Sequence, residues 1–302
     1  MQATVDEPTD YVAAMSEGTG DSTSKRELED GIQRDFSTSM SYGDYLRLDT
    51  LLSAQVPLSD PPQHDELLFI IQHQTSELWL KLMIHELRSA RALLRTDDLS
   101  PALKRMARIK HIQHTLTDQW SVLATLTPSE YALIRPFLAT SSGFQSAQYR
   151  EVEFLLGNKN ADMVKVFSHD EGARAALDEL LHEPSLYDEF LAHLSRQGYA
   201  VPARLLDRDW SQPYTADAEL VDVFAGVYAA PDQHWGVYET CEELVDIEDA
   251  FQQWRFRHLQ VVQRVIGHKV GTGGSSGVDF LRRALSLTFF PELYEVRTRI
   301  GE

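Results

Sequence analysis

His258 falls on a stripe of otherwise apolar residues, Val237, Cys241, Leu244, Phe251, Trp254, Val262 and Val265, at a place where a hydrophobic side chain would be expected. A buried neutral imidazole is a common axial ligand to haem iron. A lone core histidine is more often simply hydrogen-bonded, and at this point both readings stand. His73, one turn after Phe69 on the inner part of another helical segment, poses the same question. Glu179 and His182 have the i, i+3 spacing used in di-iron bundles, but such a centre needs that pair repeated on several helices, and no second pair is evident. The remaining histidines form no HExxH arrangement.

The stretch Gly271-Thr272-Gly273-Gly274-Ser275-Ser276-Gly277 has the composition of a phosphate-binding loop. It lacks the lysine of a P-loop and follows a helix, whereas a dinucleotide fingerprint follows a strand. What it offers is backbone freedom for close approach to a ligand, with hydroxyls to bond a small polar group. Ser141-Ser142-Gly143 contains no G-x-S-x-G elbow, so hydrolase chemistry has no support.

The elements that must position these residues are helical. Ser59 and Asp60 followed by Pro61 and Pro62 read as a cap with proline in the first turn, and no Gly or Pro intervenes until Pro101. This predicts a helix over about 61–95. Leu68, Ile71, Leu78, Leu82, Ile84 and Leu87 recur along it at spacings that suit a core-facing stripe. A second long helix is expected over 103–126, ending at Thr127-Pro128-Ser129-Glu130, which reads as a break and a new cap. A third is expected over 232–267, with Gly267 as its stop. Shorter helices are expected around 129–138, 143–156, 160–167, 171–182, 184–197 and 217–229. No sustained two-residue alternation predicts strands. The expected fold class is all-α: a helical bundle with several long helices, as one domain over 41–302.

Composition narrows the partners. The 302 residues are 43% hydrophobic and 25% charged, as in ordinary globular chains. A net charge of −18 would repel phosphate backbones and anionic lipid, so nucleic acid and membranes are poor partners. Nine acidic residues face three basic ones within the first 35, and residues 1–40 read as an acidic, disordered arm. Cys241 is the only cysteine, which suits a reducing, cytoplasmic setting, and the first twenty residues do not form a secretory signal. No apolar run approaches the roughly 20 residues of a membrane span.

Several long segments resemble the tryptophan 2,3-dioxygenase family: Tyr42-Gly43-Asp44-Tyr45-Leu46, HDELLFIIQHQTSELWLKL (64–82), TLTPSEYALIRPFL (125–138), SSGFQSAQYREVEFLLGNKN (141–160), WRFRHLQVVQRVIG (254–267) and GTGGSSGVDFL (271–281). They cover most of residues 41–298 in order. The resemblance implies that the long helices enclose a haem pocket, that His258 is the proximal ligand of haem b and that His73 is the distal histidine beside the indole N–H. It implies that Phe69, Leu138 and Ser142 wall the pocket, that Arg135 and Tyr131 hold the substrate carboxylate, and that Thr272 meets the ammonium. Tyr42 and Tyr45 would reach the site of a neighbouring subunit in a homotetramer.

The reaction so implied is oxidation of L-tryptophan by O2 on ferrous haem, opening the C2–C3 bond to give N-formyl-L-kynurenine with both oxygens incorporated. Within the same fold, the alternative is insertion of one oxygen into a substituted tryptophan, such as a 3-methyl derivative, to give a 2-oxindole. A haem sensor or carrier would have no need of the Arg135, Tyr131 and Thr272 clamp.

Overall fold

A computed structural model describes residues 28–301. Residues 1–27 of the expected acidic arm lie outside the described residues, and its described part, 28–40, contains no helix. The described residues divide into two units, the first ending at Ala54 and the second beginning at Gln55. The first contains α1 (Tyr42–Leu46) and α2 (Leu48–Leu52), joined at Arg47 in a left-handed conformation. Ser41 and Asp44 start α1 with reciprocal hydrogen bonds, the Ser41 hydroxyl accepting from the Asp44 amide and the Asp44 carboxylate accepting from the Ser41 amide.

The second unit holds α3 (Glu66–Arg95), α4 (Leu99–Asp118), α5 (Trp120–Leu123), α6 (Pro128–Ile134), α7 (Ala147–Leu156), α8 (Ala161–Lys165), α9 (Glu171–Leu181), α10 (Leu186–Arg196), α11 (Ala203–Leu206), α12 (Ala218–Ala229), α13 (Trp235–Ile266), α14 (Val278–Ala284) and α15 (Pro291–Arg299). No strand occurs among the described residues, and the fold is all-α as expected. No helix of the described residues is long and apolar enough to cross a membrane.

Three long seams organise this unit. Along α3 the buried residues Leu80, Met83, Leu87, Ala90 and Leu94 alternate steps of three and four. Ala102, Met106, Ile109, Gln113 and Leu116 do the same on α4, and Val237, Cys241, Leu244, Glu248, Phe251 and Arg255 on α13. A mean step of about 3.5 residues keeps one face toward a neighbouring helix over many turns. Arg108 reaches Glu86 (2.7 Å) and Gln119 reaches Ser76 (2.8 Å), so α3 and α4 run antiparallel. α4 packs in turn on α13.

The seams correct one expectation. Ile71, Leu78 and Leu82 on α3 are exposed, Leu78 by 49%, while Ile84 and Leu87 are buried. A 30-residue helix carries apolar residues on more than one face, and periodicity alone does not say which face is packed. The start of α3 also differs, at Glu66 where residue 61 was expected. The Glu66 carboxylate accepts from the amides of Leu58 (2.7 Å) and Ser59 (2.9 Å), while the Ser59 hydroxyl accepts from the Gln63 amide (2.8 Å). Ser59 therefore caps a turn ahead of the helix.

The second long helix begins at Leu99, earlier than expected, because Pro101 falls in its first turn, where a missing N–H costs nothing. It ends at Asp118, with Trp120–Leu123 as a separate short helix. Thr127 and Glu130 form the expected cap of α6, and Gly267, at φ 62°, ends α13. Helices α11, α14 and α15 were not foreseen; each is short.

Buried polar groups fix the helix that carries His258. Glu153 on α7 pairs with Arg150 and, at 3.1 Å, with Arg255 on α13. Glu248 on α13 accepts from the amides of Phe289 (3.1 Å) and Phe290 (2.9 Å). Removing one partner of such a buried charged network leaves the other unsatisfied, so these contacts hold α13 in one position along its neighbours.

Candidate active site

The seams of α3 and α13 both continue into residues that are not ordinary core. Four and seven positions before Ser76, α3 presents Gln72 and Phe69, with His73 on the same face as Phe69; on α13 the step after Arg255 is His258. The seam of α4 extends across Gln119 to Trp120. Helix geometry thus places Phe69, His73, Trp120 and His258 where the packed faces run out of aliphatic side chains.

A second apolar cluster surrounds them. Trp120, Leu123, Leu126, Ile134, Val261 and Val265 are buried together, with Phe69, Tyr131, Leu138 and Trp254 packed against them. Phe69 lies 4.3 Å from His73 and 5.9 Å from Tyr131 between ring centres. His258 stacks on Trp120 at 4.7 Å with 12° between planes and meets Trp254 at 5.4 Å.

Both imidazoles are held neutral. Burial lowers the His73 pKa from 6.5, opposed by the Phe69 carbonyl and the Glu77 carboxylate. Burial lowers that of His258 further, to about 4, and the charge of His73 adds to the effect. The two rings are therefore close enough that protonating one disfavours protonating the other. His73 Nδ1 lies 2.7 Å from the Phe69 carbonyl oxygen. That acceptor requires Nδ1 to carry the proton, which leaves Nε2 as a hydrogen-bond acceptor.

The ring nitrogens of His258 make no hydrogen bond among the described residues. A neutral imidazole with an uncommitted lone pair, walled by apolar and aromatic groups, is the donor type that haem iron takes. The residues present fit that group.

Beside this cluster is a cavity of about 390 Å³ lined by Tyr131, Arg135, Val265, Lys269, Gly271 and Thr272, among others. Val265 is two helical turns beyond His258, so one face of α13 serves both places. Arg135 donates through Nη2 to the Val270 carbonyl (2.5 Å), while its Nη1 is buried without a partner. An unpaired buried guanidinium nitrogen is costly unless an anion completes it. The Tyr131 hydroxyl is kept protonated, burial raising its pKa against the opposing charge of Arg135. Thr272 donates to the Ser141 carbonyl (2.5 Å), so its oxygen lone pairs remain free to accept.

The glycine-rich loop is shaped by contact. A Cβ on Gly273 would stand 2.8 Å from the Ser142 Cβ, and one on Gly277 would stand 2.7 Å from the Lys269 carbonyl, with φ at 60°. Close approach is what the glycines allow. Ser142 also accepts from the Phe144 amide (3.4 Å) to start the 3-10 turn Gly143–Gln145.

Of the residues singled out in the sequence, Phe69, His73, Tyr131, Leu138 and His258 converge on or beside the aromatic cluster, and Arg135, Ser142 and Thr272 gather around the loop. Tyr42 and Tyr45 lie on α1 in the first unit, each 75% exposed. Trp120 and Lys269 were not anticipated, and Trp254, placed on the stripe of His258, was given no role at the site. The signal for Trp120 was present, since it continues the alternating steps of α4.

A family model for tryptophan 2,3-dioxygenase matches residues 27–179 and 212–300. Curated relatives include the tryptophan 2,3-dioxygenases of Kineococcus radiotolerans, 64% identical over 91% of this chain and 96% of the relative, and Saccharopolyspora erythraea, 64% identical over 91% and 98%. That of Serratia proteamaculans is 59% identical over 92% of this chain and 99% of its own. This chain belongs to the tryptophan 2,3-dioxygenase family.

Proposed function

We propose that this member of the tryptophan 2,3-dioxygenase family oxidises L-tryptophan with O2, opening the indole C2–C3 bond to give N-formyl-L-kynurenine. It is an oxidoreductase, and both atoms of O2 enter the product, so the overall reaction needs no external reductant. The observation that carries the substrate reading is the buried, unpaired Nη1 of Arg135 beside Tyr131 and Thr272.

Haem b, held through His258, supplies the activation of O2. The protein does the rest by placement. Arg135 offers a planar pair of donors to the substrate carboxylate, with Tyr131 as a further neutral donor. Thr272 accepts from the ammonium. An amino acid anchored at both groups projects its side chain in one direction, and Phe69, Leu138 and Ser142 wall the space for the indole. His73 Nε2 accepts from the indole N–H and fixes the ring. Its role is positioning, since an indole N–H is a very weak acid. Orientation of this kind lowers the barrier by removing motions that would otherwise have to be frozen at the moment of reaction.

The same reading makes Tyr42 and Tyr45 contributors to a neighbouring subunit's site in a homotetramer, working in the cytoplasm. No observation favours the 2-oxindole alternative. Mass spectrometry of the product formed from L-tryptophan under heavy-isotope O2 tests the proposal. A formylkynurenine bearing two labelled atoms is expected; one labelled atom in an oxindole would overturn it.

A further inference from the structure

We propose that Trp120 is a positioning residue for His258, its indole face setting the plane of the imidazole. The inference rests on the reading of His258 as the axial ligand. Metal-bound histidines are usually oriented by a hydrogen bond from the second ring nitrogen to a carboxylate or carbonyl. His258 makes no hydrogen bond to protein atoms among the described residues, and the groups that lie against its ring are Trp120 and Trp254.

The contact is a stack. Trp120 lies nearly parallel to His258, at 12° and 4.7 Å, while Trp254 is tilted by 44° at 5.4 Å. Trp254 sits four residues before His258 on α13 and moves with it. Trp120 comes from another element and is therefore the external reference for the ring.

Trp120 is itself well anchored. It is 5% exposed and packs with Leu123, Val261 and Val265. The adjacent Gln119 is bonded to α3 twice, donating to Ser76 (2.8 Å) and accepting from Thr75 (3.1 Å). The Trp120 Nε1 is buried without a partner. Stacking on His258 uses the aromatic face of Trp120 and not its N–H, which predicts that another aromatic ring can replace it.

The test uses haem-loaded protein with Trp120→Phe, Trp120→Met and His258→Ala, read by the iron–histidine stretching band of the ferrous form and by the rate of haem transfer to excess apomyoglobin. Trp120→Phe should keep the wild-type band. Trp120→Met should shift or broaden it and speed haem loss roughly three- to tenfold, the size of one aromatic pair, while KM for tryptophan is unchanged. A wild-type band and transfer rate in Trp120→Met would overturn the proposal. Retention of the band in His258→Ala would overturn the ligand assignment itself, a different failure. Should Trp120→Met not fold, Trp120→Phe decides alone: an unshifted band supports stacking, and a shifted one overturns it.

Discussion

Phe69 is both the ring neighbour of His73, 4.3 Å between centres, and its hydrogen-bond partner, the Phe69 carbonyl lying 2.7 Å from Nδ1. One residue thus sets the tautomer of the imidazole and the apolar wall beside it. The two are one helical turn apart, so the relationship is as rigid as α3.

If His73 positions the indole through Nε2, then His73→Ala should remove one neutral hydrogen bond and its alignment. We expect kcat/KM to fall about tenfold to a hundredfold with haem occupancy unchanged. Complete loss of turnover in haem-replete His73→Ala would instead indicate a required proton transfer. Steady-state kinetics with measured haem content distinguishes the two.

Arg135→Lys keeps the charge but loses the fork. Hydrogen bonds to charged groups contribute about 1.5–3 kcal/mol, so KM for tryptophan should rise roughly tenfold or more, with a smaller effect on kcat. An unchanged KM would remove Arg135 from the carboxylate site.

Gly273→Ala would force a Cβ to within 2.8 Å of the Ser142 Cβ. The loop carrying Thr272 must then shift, and tryptophan binding should weaken. Ser142→Gly removes the clashing atom, and glycine at a helix-start position costs only a few tenths of a kcal/mol. The double variant Gly273→Ala/Ser142→Gly should therefore recover much of the lost affinity. Additive losses in this cycle would show that the contact is not the cause.

Both imidazoles titrate below their ordinary value of 6.5, His258 at about 4. Between these values the unfolded chain binds protons that the folded haem-free protein does not. Stability should fall as pH drops from 6.5 toward 4 and level off with respect to His258 below that. His258→Leu should flatten this part of the profile of Tm against pH; an unaltered slope would show that His258 is not buried neutral.

The sequence by itself determined the helical class, the cap at Thr127, the stop at Gly267 and, through long matching segments, the family. These are local or collinear properties: a proline excluded from helix interiors, a glycine able to take positive φ, a motif read in order. Tertiary structure decided which face of α3 is packed, leaving Leu78 exposed while Leu80 is buried, because more than one face is apolar and only a neighbouring helix chooses between them. It also decided that Trp120 lies on His258 and Gly273 against Ser142. Those pairs are separated by more than a hundred residues, and no local preference encodes a distance between chain segments that only the packing of α3, α4 and α13 brings together.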